Sequence, residues 1–218
     1  LGLIFTWGMK RPRFPIFPRG LTAFSGFKPG AISNLLLTLA SFVMWFLFPF
    51  YVVDVMGRSG FVLGVLLALM AAANFAGSAI SGWLADRIGD RQITFAGAVV
   101  TGCGLLLAGT TGGTPTMGAV VFATVVLGFG FGIHQAAVYS LTLRGTPSRH
   151  AGASSAALSV SQTIGTVLSI ALMTTLLNWQ QSANGGSFIE AYRFSYFAAA
   201  GIAMLAGVVV LKIRVTRP

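Results

Sequence analysis

Six long apolar runs, separated by short polar segments, set the hydropathy pattern of this 218-residue chain. They cover about residues 32–51, 61–83, 93–111, 117–141, 151–177 and 194–211. Each is close to or above the roughly 20 residues a helix needs to cross hydrocarbon. Apolar residues are continuous within a run and do not alternate, so the runs predict helices and not barrel strands. A helix also satisfies its own backbone hydrogen bonds in lipid. Apart from His134, no Asp, Glu, Lys, Arg or His falls inside a run. The predicted fold class is an all-α membrane protein with six transmembrane helices spanning residues 31–218, preceded by a basic segment over residues 1–30.

The connections between the runs carry the charge, and their asymmetry predicts an orientation. With the N-terminal segment on the cytoplasmic side, that side holds Lys10, Arg11, Arg13, Arg19, Lys28, Arg87, Arg91, Arg144, Arg149, Lys212, Arg214 and Arg217. Only Arg58 and Arg193 fall on the other side. Basic residues favour the cytoplasmic face, so both ends of the chain are expected there. The net charge of +10 is therefore topological and does not point to nucleic acid, which would require a basic soluble surface. Composition agrees, with 55% hydrophobic residues, only 8% charged residues and a mean hydropathy of +0.83. The single cysteine, Cys103, lies inside an apolar run and offers neither a disulfide framework nor a Cys-based metal site. No metal and no cofactor is expected.

Leu1–Trp7 is apolar but too short to span, and it runs directly into Lys10, Arg11, Pro12 and Arg13. A secretory signal has the opposite order, basic before apolar. The segment reads as the cytoplasmic end of a truncated helix, and the chain as the C-terminal part of a longer protein.

Polar residues are shared unevenly among the runs. Asn34, Thr38, Ser41 and Trp45 recur at helical spacing in the first, and Met70, Asn74, Ser78 and Ser81 in the second. The fifth carries Ser155, Ser159, Gln162, Thr166 and Ser169, and the fourth places His134 and Gln135 after Gly128, Gly130 and Gly132. The third and sixth are mostly Ala, Gly, Val, Leu and Phe. Four helices with a polar face and two without predict a bundle in which four line a cavity and two face lipid. The candidate cavity residues are Asn34, Thr38, Trp45, Met70, Asn74, His134, Gln135, Ser159, Gln162 and Thr166. Two readings stand for the amides: they line the cavity, or they hydrogen-bond between helices. His134 likewise reads either as a proton carrier, because imidazole titrates near neutrality, or as a hydrogen-bonded structural residue. No embedded nucleophile-and-base arrangement is present, which excludes an enzyme on the usual hydrolytic patterns.

Between the second and third runs lies the densest group of charges, Gly82-Trp83-Leu84-Ala85-Asp86-Arg87-Ile88-Gly89-Asp90-Arg91. It predicts a tight loop in which Gly82 permits close helix approach, Gly89 turns the chain, and Asp86 accepts from Arg91 or caps a helix. With Gly82, Leu84, Ala85, Asp86, Arg87, Gly89 and Arg91, this stretch resembles the signature loop of the major facilitator superfamily. Asp90 departs from it, since a basic residue is usual there. Leu143-Arg144-Gly145-Thr146-Pro147 with Arg149, Ala151, Gly152, Ser154 or Ser155, Gln162 and Gly165, together with Pro49-Phe50-Tyr51, is similar to the C-terminal half of the fourteen-helix drug:proton antiporter branch.

The resemblance implies one six-helix half of such a transporter, made of two inverted three-helix repeats that rock against a missing N-terminal half. It implies that Gly82, Asp86, Arg87, Gly89 and Arg91 form a conformational latch. It further implies proton-coupled efflux of small hydrophobic or cationic compounds across a bacterial inner membrane. The expected partners are a small-molecule substrate, protons, the lipid bilayer and that other half, with no nucleic acid. A solute uptake permease of the same superfamily, or a non-transporting membrane module, is the alternative.

Overall fold

A computed structural model describes residues 26–112, 116–184 and 188–211. Six long helices account for nearly all of them: α1 (Phe27–Phe50), α2 (Gly60–Ile88), α3 (Asp90–Thr111), α4 (Met117–Arg144), α5 (Ala151–Asn184) and α6 (Phe188–Leu211). All six are long and apolar enough to cross a membrane. Leu1–Trp7, the basic residues up to Arg19, and Lys212, Arg214 and Arg217 lie outside the described residues.

The helices are longer than the apolar runs, and the ends differ for a physical reason. A membrane helix does not stop at the hydrocarbon boundary, and its last turns can carry charge where water is available. So α2 continues through Asp86 and Arg87, α6 begins before Glu190 and Arg193, and α1 begins at Phe27, inside the expected basic segment. The expected loop from Gly82 to Arg91 is therefore two helix ends joined at one residue. Gly89 alone separates α2 from α3, with φ +101°, a conformation a side chain would strain. Its N–H donates to the Ala85 carbonyl at 2.8 Å, and its carbonyl accepts from Gln92 and Ile93 at 3.2 Å, so one glycine closes one helix and opens the next. At the opposite end, Pro49 withholds a backbone donor and the chain widens into a π-turn, Tyr51–Val55, before α2.

Packing follows an internal symmetry. The extensive contacts are α3 with α4, α2 with α4, α3 with α6, α1 with α5 and α1 with α6. Exchanging the first three helices for the last three maps this set onto itself, α1 with α5 becoming α4 with α2. Three helices is an odd number, so the second triplet crosses in the opposite direction. That is the arrangement of two inverted three-helix repeats.

The least covered helices are α2 and α5, whose most apolar windows are 17% and 22% buried against 44–56% for the other four. The third and sixth runs, expected to face lipid, are better covered than α2 and α5 among these six helices and each keeps an exposed side. Their Ala and Gly content serves close packing: a Cβ at Gly97 of α3 would collide with the His134 backbone, and Ala199, Ala200, Ala203 and Ala206 of α6 are buried. Only one side of each remains open, at Leu106 and Leu107 on α3 and at Leu205 and Val208 on α6.

Candidate functional site

Near the middle of the helices, α1, α2 and α4 enclose a cavity of about 190 Å³. Ser41, Phe42 and Trp45 come from α1, Met70, Ala71 and Asn74 from α2, and Leu127, Gly128 and Phe131 from α4. The wall is mostly apolar and aromatic, with one hydroxyl and one carboxamide. At its back two helices pack closely, because α4 offers glycine where α2 crosses it. A Cβ at Gly128 would collide with the Met70 carbonyl, and one at Gly132 with the Asn74 carbonyl. Two of the three residues of α2 that line the cavity, Met70 and Asn74, thus rest their backbone on α4.

Of the ten candidate cavity residues, Trp45, Met70 and Asn74 line this space. Gln135, Gln162 and Ser159 meet elsewhere, along the α4–α5 seam. Gln135 Nε2 donates to Gln162 Oε1 at 3.1 Å, and the Tyr139 hydroxyl and Ser159 Oγ lie 3.4 Å apart one turn further on. Thr166 is half-buried and donates to the Gln162 carbonyl of its own helix.

Asn34, Thr38 and His134 lie outside the cavity wall and are almost wholly buried. Asn34 Nδ2 donates to the Leu158 carbonyl at 3.0 Å and to Ser161 Oγ at 3.1 Å, tying α1 to α5. Thr38 packs against Gly165 in the same seam. His134 Nε2 lies 2.9 Å from Ser33 Oγ, which donates its one hydrogen to the Ala206 carbonyl. That leaves Nε2 as the donor to Ser33 and sets the tautomer. The histidine pins α4 to α1 and α6, which corresponds to the structural reading of this residue. Interhelical side-chain bonds of this kind contribute about 0.6 kcal/mol each in a membrane interior.

The charged residues at the α2–α3 junction find a partner the sequence reading passed over. Arg144, at the end of α4, holds Asp86 at 2.8 Å and Asp90 at 3.3 Å. Asp90, the departure from the signature, is the better buried acid, its side chain 8% exposed against 69% for Asp86. Arg91, expected to serve Asp86, instead donates to the Leu211 carbonyl at the end of α6. Arg87 lies over the Trp83 ring, 3.8 Å from its centre. No heavy atom among the described residues comes within 4 Å of a Cβ placed at Gly82, so the close approach expected there has no partner within these six helices. Arg144 is 58 residues from Asp86. The signal that could have found it is charge balance: two acids at one junction need a cation at the same end of the bundle.

A membrane unit of two inverted three-helix repeats beside a cavity at mid-height is an architecture found in secondary transporters. Residues 9–170 match the profile of the Major Facilitator Superfamily, and the chain belongs to that family. It is 24% identical over 204 residues to the uncharacterized transporter YebQ of Escherichia coli (strain K12), covering 94% of this chain and 43% of that protein. It is 32% identical over 127 residues to the triacylglyceride transporter Rv1410c of Mycobacterium tuberculosis (strain ATCC 25618 / H37Rv), covering 53% of this chain and 24% of that one. Among solved structures, a POT family transporter in complex with 5-aminolevulinic acid shares the fold, with a TM-score of 0.59 and 18% identity over 89% of this chain and 38% of that chain. The chain thus spans less than half the length of these relatives.

Proposed function

We propose that this chain is the C-terminal half of a proton-coupled exporter of small hydrophobic or cationic compounds, working by alternating access with its C-terminus in the cytoplasm. The observation that carries the reading is the aromatic cavity of about 190 Å³ set between α1, α2 and α4, on a unit whose α2 and α5 leave most of their surface uncovered. Apolar walls with few directional groups bind loosely and broadly, which suits a carrier for varied lipophilic cargo. The likeness to the fourteen-helix drug:proton antiporters supports efflux, and the triacylglyceride transporters among its relatives favour apolar cargo.

The ion cluster supplies the latch. Asp86 and Asp90 on the α2–α3 junction grip Arg144 on α4, so the junction and the second repeat move together or separate at the cost of this contact. Breaking it changes the relative energy of two conformations without touching the cargo site.

The test is transport by the full-length protein in proteoliposomes. An imposed proton gradient should drive a lipophilic fluorescent cargo against its concentration gradient, and collapse of the gradient should stop it. Transport at an equal rate without a gradient would defeat proton coupling, and transport only of polar solutes would favour the uptake permease.

A further inference from the structure

One turn of α4 beyond the cavity wall lies a polar pair. Leu127, Phe131, Gln135 and Tyr139 recur every four residues, so one face of the helix runs from the apolar wall into the carboxamide pair within a turn. Gln135 and Gln162 use one N–H and one carbonyl oxygen on each other. Whichever of the two donates, a carbonyl oxygen and an NH2 group are left over. Gln135 Oε1 is buried and has no partner. A buried amide oxygen without a partner is costly, and cargo that supplies a donor removes the cost.

We infer that the Gln135–Gln162 pair, one turn of α4 beyond the cavity wall, is a headgroup subsite for cargo, and that it narrows the hydrophobic or cationic cargo proposed above to an uncharged amphiphile: an apolar body against Phe42, Trp45 and Phe131, with a neutral head that both donates and accepts hydrogen bonds. The inference rests on the reading of the cavity as a cargo site. Charge is disfavoured by the chemistry of the pair. An anionic head meets the unpartnered Gln135 oxygen, a quaternary cation cannot donate to it, and none of the nine described residues lining the cavity is charged to compensate either. An ester-and-hydroxyl or amide head satisfies both free groups at once. Tyr139 and Ser159 extend the same donor-and-acceptor character one turn beyond.

The experiment measures equilibrium binding to the purified full-length transporter in detergent at pH 8, with four probes that share an apolar chain: 1-monooleoylglycerol, oleate, oleyltrimethylammonium and 1-octadecene. Wild type should bind 1-monooleoylglycerol at least ten-fold more tightly than either charged probe. The double substitution Gln135→Leu with Gln162→Leu removes both partners and leaves neither orphaned. It should bring the three headed probes within about three-fold of one another while leaving 1-octadecene unchanged. Charged probes binding wild type as tightly as the glycerol ester would overturn the assignment, as would a double variant that weakens all four alike. The ranking on wild type decides the matter even if the double variant fails to fold. Binding needs no gradient, so a failure of proton drive leaves the headgroup ranking readable, whereas gradient-driven transport with no ranking refutes this subsite alone.

Discussion

The ion cluster at the α2–α3 junction and the cavity at mid-height are built in opposite ways. The cluster consists of three charged groups, Asp86, Asp90 and Arg144, from two places in the chain, with short and directional contacts. The cavity consists of nine mostly apolar residues from three helices, none of which fixes a ligand by itself. The first stores specificity in a few contacts and suits a two-state latch. The second spreads its binding over surface and suits cargo that varies.

The comparison can be broken most severely from the cavity's back wall. Substituting Gly132→Val places a branched side chain against the Asn74 carbonyl, so α2 must move off α4. We expect a loss of about 1–3 kcal/mol, read as a lower melting temperature of the full-length protein, together with loss of cargo binding. A variant as stable as wild type would mean that the α2–α4 contact is looser than described.

Next comes the cluster, where burial should rank the acids. Arg144→Ala leaves Asp90 largely buried and without its cation, and we expect it to cost about 1–3 kcal/mol. Asp86→Asn should cost no more than about 1 kcal/mol, because that contact is solvent-exposed and screened. Both should alter the rate of cargo release more than cargo affinity. Equal destabilisation by the two substitutions, measured by thermal unfolding at two salt concentrations, would remove Asp90 from the central place given to it.

Trp45→Ala tests the dispersed site. It removes one aromatic wall that is half exposed, and affinity for lipophilic cargo should fall about ten-fold with little change in stability. The smallest effect should come from Ser78→Ala. Ser78 belongs to the polar face of α2, yet its hydroxyl is bonded to the Phe75 carbonyl of its own helix and touches neither cluster nor cavity. Stability and transport should stay within about 0.5 kcal/mol of wild type.

The same division explains what could be read from the chain. Six spans were legible because a run of apolar residues long enough to cross lipid has few other uses, and the charged junction was legible because charge is rare here. Helix ends were not, since Asp86 and Arg87 mark where water begins and not where α2 stops. Helical spacing placed Asn34, Thr38 and Trp45 on one face of α1, but a face does not say which neighbour it meets. In the fold, Asn34 and Thr38 meet α5, while Trp45 opens onto the cavity. How closely the third and sixth runs pack was not legible for a related reason: alanine and glycine are equally apolar against lipid and against another helix, and only packing separates the two. Arg144 escaped notice as the cation between Asp86 and Asp90 because its partners are far away in sequence, whereas Arg91 was adjacent.

The claim on which everything else depends is that cargo occupies the space between α1, α2 and α4. Ala71→Cys lines that space, and Arg58→Cys in the segment between α1 and α2 lies outside it and is exposed. Each is introduced into the full-length transporter with its other cysteines replaced by serine, and alkylation by N-ethylmaleimide is timed with and without 1-monooleoylglycerol. The account predicts that saturating cargo slows reaction at position 71 at least five-fold and leaves position 58 unchanged; equal rates at position 71 with and without bound cargo would contradict it.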